Sequence, residues 1–107
     1  MYVYVMRHKS DSNAPFKIGK AKNPGQRLKT IQTGSAEKLR IIHLVKCRSD
    51  MHSRHIESEL HSRLKWFKKT GEWYKAEGLC RFREIMDSMI YLNKRKITPA
   101  VKSCWTL

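Results

Sequence analysis

Apolar and polar residues alternate near the start of the chain. In Y-V-Y-V-M, from Tyr2 to Met6, the two valines fall on one face of an extended segment and the tyrosines on the other. Phe16 and Ile18 flank Lys17, so the apolar pair faces one way and the lysine the other. We therefore predict two strands that form a hairpin with a long polar loop.

A short helix is predicted directly after the second strand. Asn23 is a preferred N-cap residue, Pro24 suits the first helical position, and Gln26 stands at the third position of a capping box. Leu28 and Ile31 mark the side of this helix that we expect to be buried.

The rest of the chain predicts a third strand and two more helices. Residues 39–47 are apolar and β-branched with few interruptions, as expected of a strand covered on both faces. From about Asp50 to Phe67 apolar residues recur at helical intervals, and a last helix follows from about Leu79 and ends among basic residues.

These elements predict an α/β (α+β) fold in the order β-β-α-β-α-α. Its sheet would have three mainly antiparallel strands flanked by helices. A chain of 107 residues supplies one modest core, so we expect a single domain over residues 1–96 and a C-terminal tail over residues 97–107.

The net charge of the chain indicates what kind of partner it binds. Twenty-three Lys and Arg against nine Asp and Glu give a formal net charge of +14. Such a surplus attracts anionic polymers, which favours nucleic acid, most simply DNA, as the partner. The alternative is a basic protein kept soluble by its own repulsion.

The cysteine pattern and the hydropathy of the chain indicate its cellular location. The three cysteines are odd in number and widely spaced, unlike the framework of a secreted disulfide-bonded domain. No apolar run reaches the roughly 20 residues that cross a bilayer. We expect a soluble cytoplasmic protein without a membrane partner.

A possible active site emerges from the predicted hairpin. Tyr4 and Lys17 would share one face, and Arg27 would stand on the helix that leaves the end of the second strand. A phenol, an ammonium and a guanidinium could thus converge. The alternative is that Tyr4 belongs to the core while Lys17 and Arg27 are solvated surface residues.

Glu57 adds an acidic group at the edge of a packed helix face. In so basic a chain, a carboxylate beside a cationic site can hold a hard divalent cation such as Mg²⁺ or Mn²⁺. The alternative is a surface glutamate paired with Arg54 or His61 at helical spacing.

Five segments in order resemble a known family: Y-V-Y-V-M, F-K-I-G-K, N-P-G-Q-R-L, I-E-S-E-L-H and G-E-W-Y. Together, from Tyr2 to Tyr74, they resemble the GIY-YIG nuclease superfamily, in particular its phage-associated branch with a Y-K-I-G motif and an E-x-x-L-H helix. Each segment is short, and the resemblance rests on their order and spacing.

The resemblance implies roles in phosphodiester hydrolysis. Tyr4 would be the general base, Arg27 would neutralise the phosphate oxygens, and Glu57 would bind the metal. Lys17 stands where the superfamily has its second catalytic tyrosine. It could favour the phenolate of Tyr4, orient the water or bind phosphate.

The chain also departs from the family pattern at two other positions. Tyr2 stands where the superfamily name has glycine, and Phe16 stands where this branch usually keeps a tyrosine. His61 could donate to the phosphate or orient Glu57. Three further cations are expected to contact the DNA backbone: Lys20, Lys22 and Arg54.

Other residues leave alternatives open. Cys47, His52 and His55 have a spacing reminiscent of a zinc site, although a structural zinc normally takes four ligands. The aromatic residues Trp66, Trp73 and Tyr74 could stack on unpaired bases or close the core.

The sequence therefore predicts a metal-dependent endonuclease that hydrolyses phosphodiester bonds in DNA. The alternative is a catalytically weak or inactive nucleic-acid-binding module or regulator on the same scaffold.

Overall fold

The computed structural model describes residues 1–8, 13–93 and 104–106. The predicted loop residues 9–12 and the basic residues 94–96 lie outside these ranges, as does most of the predicted tail over 97–107. In chain order the elements are β1 (Tyr2–His8), β2 (Phe16–Ala21), α1 (Pro24–Gln32), β3 (Leu39–Lys46), α2 (Asp50–Arg63), a 3-10 turn (Lys65–Phe67), β4 (Lys68–Thr70), β5 (Trp73–Tyr74), α3 (Gly78–Asn93) and β6 (Cys104–Thr106).

The strands form one sheet in the order β4-β5-β2-β1-β3-β6. Neighbouring strands are antiparallel except β3 and β6, which are parallel. The α+β class is confirmed, but a three-stranded sheet in the order β-β-α-β-α-α is wrong because it lacks β4, β5 and β6. Strands of two or three residues are too short to show the alternation that identifies a strand.

The register of β1 and β2 decides which residues enter the core. Val5 lies opposite Ile18, and directly opposed residues of antiparallel strands share a face. Val3, Val5, Phe16 and Ile18 are all fully buried in one apolar cluster, as the alternation predicts. Helices α2 and α3 cover this face, and their buried contribution is Ile56, Leu60, Leu79, Phe82, Ile85 and Met86.

Helix α1 begins as its sequence predicts. The side chain of Asn23 accepts a hydrogen bond from the backbone N–H of Gln26 at 3.1 Å, and Pro24 is the first helical residue. Leu28 and Ile31 are only partly buried, and no residue of α1 is fully buried. The helix therefore lies on the surface of the fold, with a capped N-terminus and a shallow apolar side.

Helix α2 ends at Arg63, four residues before the predicted end. The N–H of Phe67 donates to the carbonyl of Leu64 at 2.9 Å, an i to i+3 bond that tightens the chain into a 3-10 turn. The turn keeps Leu64 buried and redirects the chain into β4.

Candidate active site at the open edge of strand β2

The phenol of Tyr4 lies directly over Gly19. The two residues are opposite each other in β1 and β2, and Tyr4 is buried. A Cβ atom at Gly19 would lie only 2.4 Å from the Tyr4 hydroxyl oxygen. Lys17 lies two residues from Gly19 on the same strand, so the predicted shared face of Tyr4 and Lys17 is confirmed.

The outer edge of β2 is only half covered. Strand β5 pairs with β2 at Phe16 and Lys17, and the N–H of Ile18 donates to the Glu72 carbonyl at 3.2 Å. In the described part of the chain, no strand pairs with this edge from Gly19 to Ala21. Helix α2 contacts β2, so side chains of both elements can meet here.

Lys17 forms an ion pair with Glu72 across this edge. Its ammonium lies 2.5 Å from a carboxylate oxygen of Glu72, although the two residues are 55 positions apart. Only 14% of the Lys17 side chain is exposed. Glu72 lies in the turn between β4 and β5, next to Gly71, whose φ of 54° lies in the left-handed region.

Two of the cations predicted to contact the DNA backbone form ion pairs with the same carboxylate. Lys20 lies 2.7 Å from Asp50, and Arg54 lies 3.1 Å from the same carboxyl group. The hydrogen bond from Lys20 is the main reason that the pKa of Asp50 lies below its usual range. The third predicted contact, Lys22, is exposed just before α1.

Glu57 is half-buried on α2. Burial raises the pKa of its carboxyl group, and the negative charge of Glu72 raises it further, while Lys20 and Lys17 act in the opposite direction. Among the described acidic residues, Glu57 is the only one that is shielded from solvent and yet forms no ion pair. A cation could therefore bind Glu57 without displacing an ion-pair partner from the described part of the chain.

His61 lies one helical turn after Glu57 and contacts Tyr74 in the hairpin of β4 and β5. Its Nδ1 atom is hydrogen-bonded to the hydroxyl of Tyr74, and the two rings stack with centroids 5.5 Å apart. Burial lowers the pKa of His61, whereas burial and then the charges of Glu72 and Glu57 raise the pKa of Tyr74 to about 12. At neutral pH, Tyr74 therefore donates to Nδ1, and Nε2 carries the imidazole hydrogen.

These contacts define one group of interacting side chains, which we call the edge cluster: Lys17, Lys20, Glu57, His61, Glu72 and Tyr74. It brings together four of the sequence-predicted residues. Tyr4 lies over Gly19 of β2, on the sheet face opposite to the one that α2 and α3 cover. Arg27 is exposed on α1, and its side chain forms no hydrogen bond or ion pair with any described residue.

The zinc alternative finds no converging ligands. The thiol of Cys47 donates to the Val45 carbonyl at 3.6 Å, and Nδ1 of His52 accepts from the backbone N–H of Arg48 at 3.2 Å. Over the ranges that the structure describes, no three His, Cys, Asp or Glu side chains are arranged to hold a metal ion. A metal at Glu57 would therefore need water and substrate oxygens as its other ligands.

The three aromatic residues considered for base stacking, Trp66, Trp73 and Tyr74, have different environments. Tyr74 is buried and stacks on Phe16 with centroids 5.6 Å apart. Trp73 is half-buried and stacks on His8 at 6.0 Å. Trp66 is 82% exposed.

Sequence reasoning missed the parts played by Glu72 and Tyr74. Both lie in the G-E-W-Y segment, so the sequence did contain a signal, namely an acidic residue beside a glycine turn and an aromatic pair. Their partners Lys17 and His61 lie on other elements, and only the folded hairpin brings them together.

The edge cluster suits the chemistry of a phosphate group. Two lysine ammonium groups and a neutral imidazole N–H can contact anionic oxygens, and a half-buried carboxylate can attract a cation. The carboxylates of Glu72 and Asp50 keep the two lysines in place without substrate.

Comparison with protein families identifies the class of the chain. The model of the T5orf172 domain matches residues 1–90. The chain belongs to the T5orf172 domain family, a phage-associated family of nuclease-like, DNA-binding domains. The matched region reaches well into α3, beyond the segments that suggested a nuclease from the sequence.

The comparisons with curated proteins and with solved structures gave no match. Within the described ranges, no helix has the length and apolar character needed to cross a membrane.

Proposed function

We propose that this protein is a metal-dependent endonuclease that hydrolyses phosphodiester bonds in DNA at the open edge of β2. The observation that carries the proposal is Glu57, a shielded carboxylate beside two lysines that forms no ion pair with any residue the structure describes. Such a group is costly in a purely structural role, because its charge is desolvated and not directly compensated.

Glu57 fits a divalent cation such as Mg²⁺ or Mn²⁺. The donor is a hard carboxylate oxygen, and Glu57 is only half-buried, so water and a substrate phosphate could complete the coordination of the ion. A bound ion would supply positive charge to the phosphate and to the departing oxygen. Membership of a nuclease-like family supports this assignment.

Tyr4 and Lys17 are the candidates for the proton-transfer step. The hydroxyl of Tyr4 lies over Gly19, and we assign it as the general base that takes a proton from the attacking water. Lys17 lies on the same face of the sheet as Tyr4, and it would stabilise the phenolate, orient the water or contact the phosphate. Its ion pair with Glu72 fixes the ammonium before substrate arrives.

The remaining residues would bind and neutralise the phosphate. Arg27 has a planar fork of donors that suits two non-bridging oxygens, and it is free of internal partners within the described residues. His61 would offer its Nε2 hydrogen as a neutral donor. Lys20, Lys22 and Arg54 would contact the backbone on either side of the cleaved bond.

A second candidate function is a nucleic-acid-binding module or regulator without efficient turnover. It is favoured by the burial of Tyr4, which is only 1% exposed, and by the engagement of Lys17 and Lys20 with carboxylates. A base must reach water, and these cations must exchange partners before they can contact phosphate.

A nicking assay separates the two candidates. Supercoiled plasmid is incubated with the protein in Mg²⁺ or Mn²⁺, and in EDTA as the control. We expect nicked or linear product only with metal, and a loss of several orders of magnitude in Glu57→Gln. The matched control is Glu59→Gln, because Glu59 is paired with Arg63 at 2.8 Å on another side of the same helix. Metal-independent binding without product would support the binding module.

A further inference from the structure

Trp66 is an exposed indole at the end of α2. It is 82% exposed, and Met51 at 80% is the only other large apolar side chain of comparable exposure among those described. Trp66 lies on the 3-10 turn that connects α2 with β4. Removing a large aromatic group from water lowers the free energy, so contact of this indole with a partner would be favourable.

One lysine lies at this indole, and three more lie on the neighbouring segments. The ammonium of Lys65 lies 5.5 Å from the ring centroid of Trp66. Lys68 and Lys69 follow on β4, which is exposed along its whole length, and the N–H of Lys75 donates to the Phe67 carbonyl at 2.8 Å. We call the five residues Lys65, Trp66, Lys68, Lys69 and Lys75 the Trp66 surface.

The four lysines of this surface form no ion pair with any described residue, which distinguishes them from Lys17 and Lys20. Strand β4 is the edge of the sheet, and lysines on an edge strand oppose pairing with a strand of another protein. Positive charge around an exposed aromatic ring matches a nucleic acid strand, whose phosphates and base faces alternate in the same way.

The Trp66 surface adjoins the edge cluster. Lys68 lies opposite Tyr74 in the β4 and β5 pairing, and the Tyr74 hydroxyl contacts His61. A strand that places a phosphate beside Glu57 and His61 could therefore continue towards Trp66.

We propose that the Trp66 surface binds unpaired nucleotides next to the edge cluster, with one base stacked on Trp66 and the lysines on the flanking phosphates. The inference rests on the proposed function for its DNA partner and adds a substrate class. Because the base faces in a duplex are already stacked on one another, this surface favours single-stranded, gapped or frayed DNA over continuous duplex.

Binding in EDTA tests this proposal without any contribution from cleavage. A fluorescently labelled single-stranded oligonucleotide and a blunt duplex of the same sequence are titrated with the parent, Trp66→Ala and Met51→Ala. We expect Trp66→Ala to weaken single-strand binding about tenfold, the size of one stacking contact, and duplex binding less than about threefold. Met51→Ala is the matched control and should change neither.

Two further readouts sharpen the test. Circular dichroism checks that Trp66→Ala is folded, as expected for a side chain this exposed. In Trp66→Phe the quenching of tryptophan fluorescence on binding single-stranded DNA should fall by more than half, although two of the three tryptophans remain.

Equal losses on single strand and duplex would overturn the proposal, and so would equal effects of Trp66→Ala and Met51→Ala. The proposal would also be overturned if Trp66→Ala binds DNA like the parent but the free protein sediments differently, because Trp66 would then belong to a protein–protein interface. If Trp66-dependent binding is seen but plasmid nicking fails, this inference stands and the endonuclease assignment falls. If nicking succeeds without Trp66-dependent binding, the endonuclease assignment stands and this inference falls.

Discussion

The hydroxyl oxygen of Tyr4 occupies the space that a side chain at Gly19 would fill. A Cβ atom there would lie 2.4 Å from this oxygen and 2.5 Å from the ring carbon that bears it. Neither distance is compatible with van der Waals contact, so Gly19 is a condition for the observed position of the phenol.

Gly19→Ala should therefore displace Tyr4. We expect a loss of about 1–3 kcal/mol of folding free energy from overpacking, together with a loss of cleavage larger than the stability change explains. Urea unfolding and the plasmid assay measure the two effects. Gly25→Ala is the control, since its nearest neighbouring atom would be 3.6 Å away, and it should fold and cleave like the parent. Full activity in Gly19→Ala would remove Tyr4 from the proposed site.

Metal binding at Glu57 should be visible as a change in stability. Burial raises the pKa of Glu57, so the charged form is disfavoured in the fold, and Glu57→Gln should raise the melting temperature in EDTA at neutral pH. Mg²⁺ or Mn²⁺ should raise the melting temperature of the parent but not that of Glu57→Gln. Equal stabilisation of both proteins by metal would contradict the assignment.

Arg27 and Lys17 should respond differently to exchange of one cation for another. Arg27→Lys keeps the charge but loses the planar fork, so we expect most of the cleavage to be lost while DNA binding falls less than about threefold. Lys17→Arg should be milder than Lys17→Ala if positive charge alone is needed. Near-full activity in all three variants would exclude both residues from the site.

Tyr74 should titrate late. Its folded pKa is about 12, above the usual 10, so its contribution to stability is complete below about pH 10 and is lost as the pH rises through the folded pKa. Tyr74→Phe should lose about 1–3 kcal/mol at neutral pH, because Nδ1 of His61 loses its partner, and should show a shallower alkaline decline. Unfolding measured from pH 8 to about 12 checks both. An unchanged slope would contradict the burial of this phenol.

The affinity for DNA should fall steeply with salt. Each duplex phosphate neutralised by Lys or Arg contributes a slope of about −0.9 to log affinity against log salt concentration. Fluorescence anisotropy across a salt series measures this slope. A flat profile would be inconsistent with binding through the basic surface of a chain with a net charge of +14.

Local patterns predicted the elements whose signals are local. The alternation around Val3 and Val5 identified β1 and its buried face, and Asn23 with Pro24 located the start of α1. These features depend on neighbours within a few positions, so the sequence displays them directly. The same holds for the phase of α2, which placed Glu57 beside the buried Ile56.

Contacts between distant residues could not be predicted in the same way. Lys17 and Glu72 are 55 positions apart, and Lys20 and Asp50 are 30 apart. Their pairing follows from the β4 and β5 hairpin and from the packing of α2 on β2, and the short hairpin strands carry no periodicity. The end of α2 at Arg63 was not predicted either, because the apolar spacing continues through the buried Leu64 to Phe67.

The ion pairs of Lys17 with Glu72 and of Lys20 with Asp50 give the free protein its own substitutes for phosphate. On the proposed function, long-range attraction of DNA would come mainly from exposed cations such as Arg27, Lys22 and the lysines of the Trp66 surface, which have no internal counterion in the described part of the chain. The cations that would attract DNA from a distance are then different from the two lysines that would bind its phosphates. On the proposed function, any polyanion would be attracted to the surface, but only a strand that displaces the carboxylates of Glu72 and Asp50 from the two lysines would bind beside Glu57.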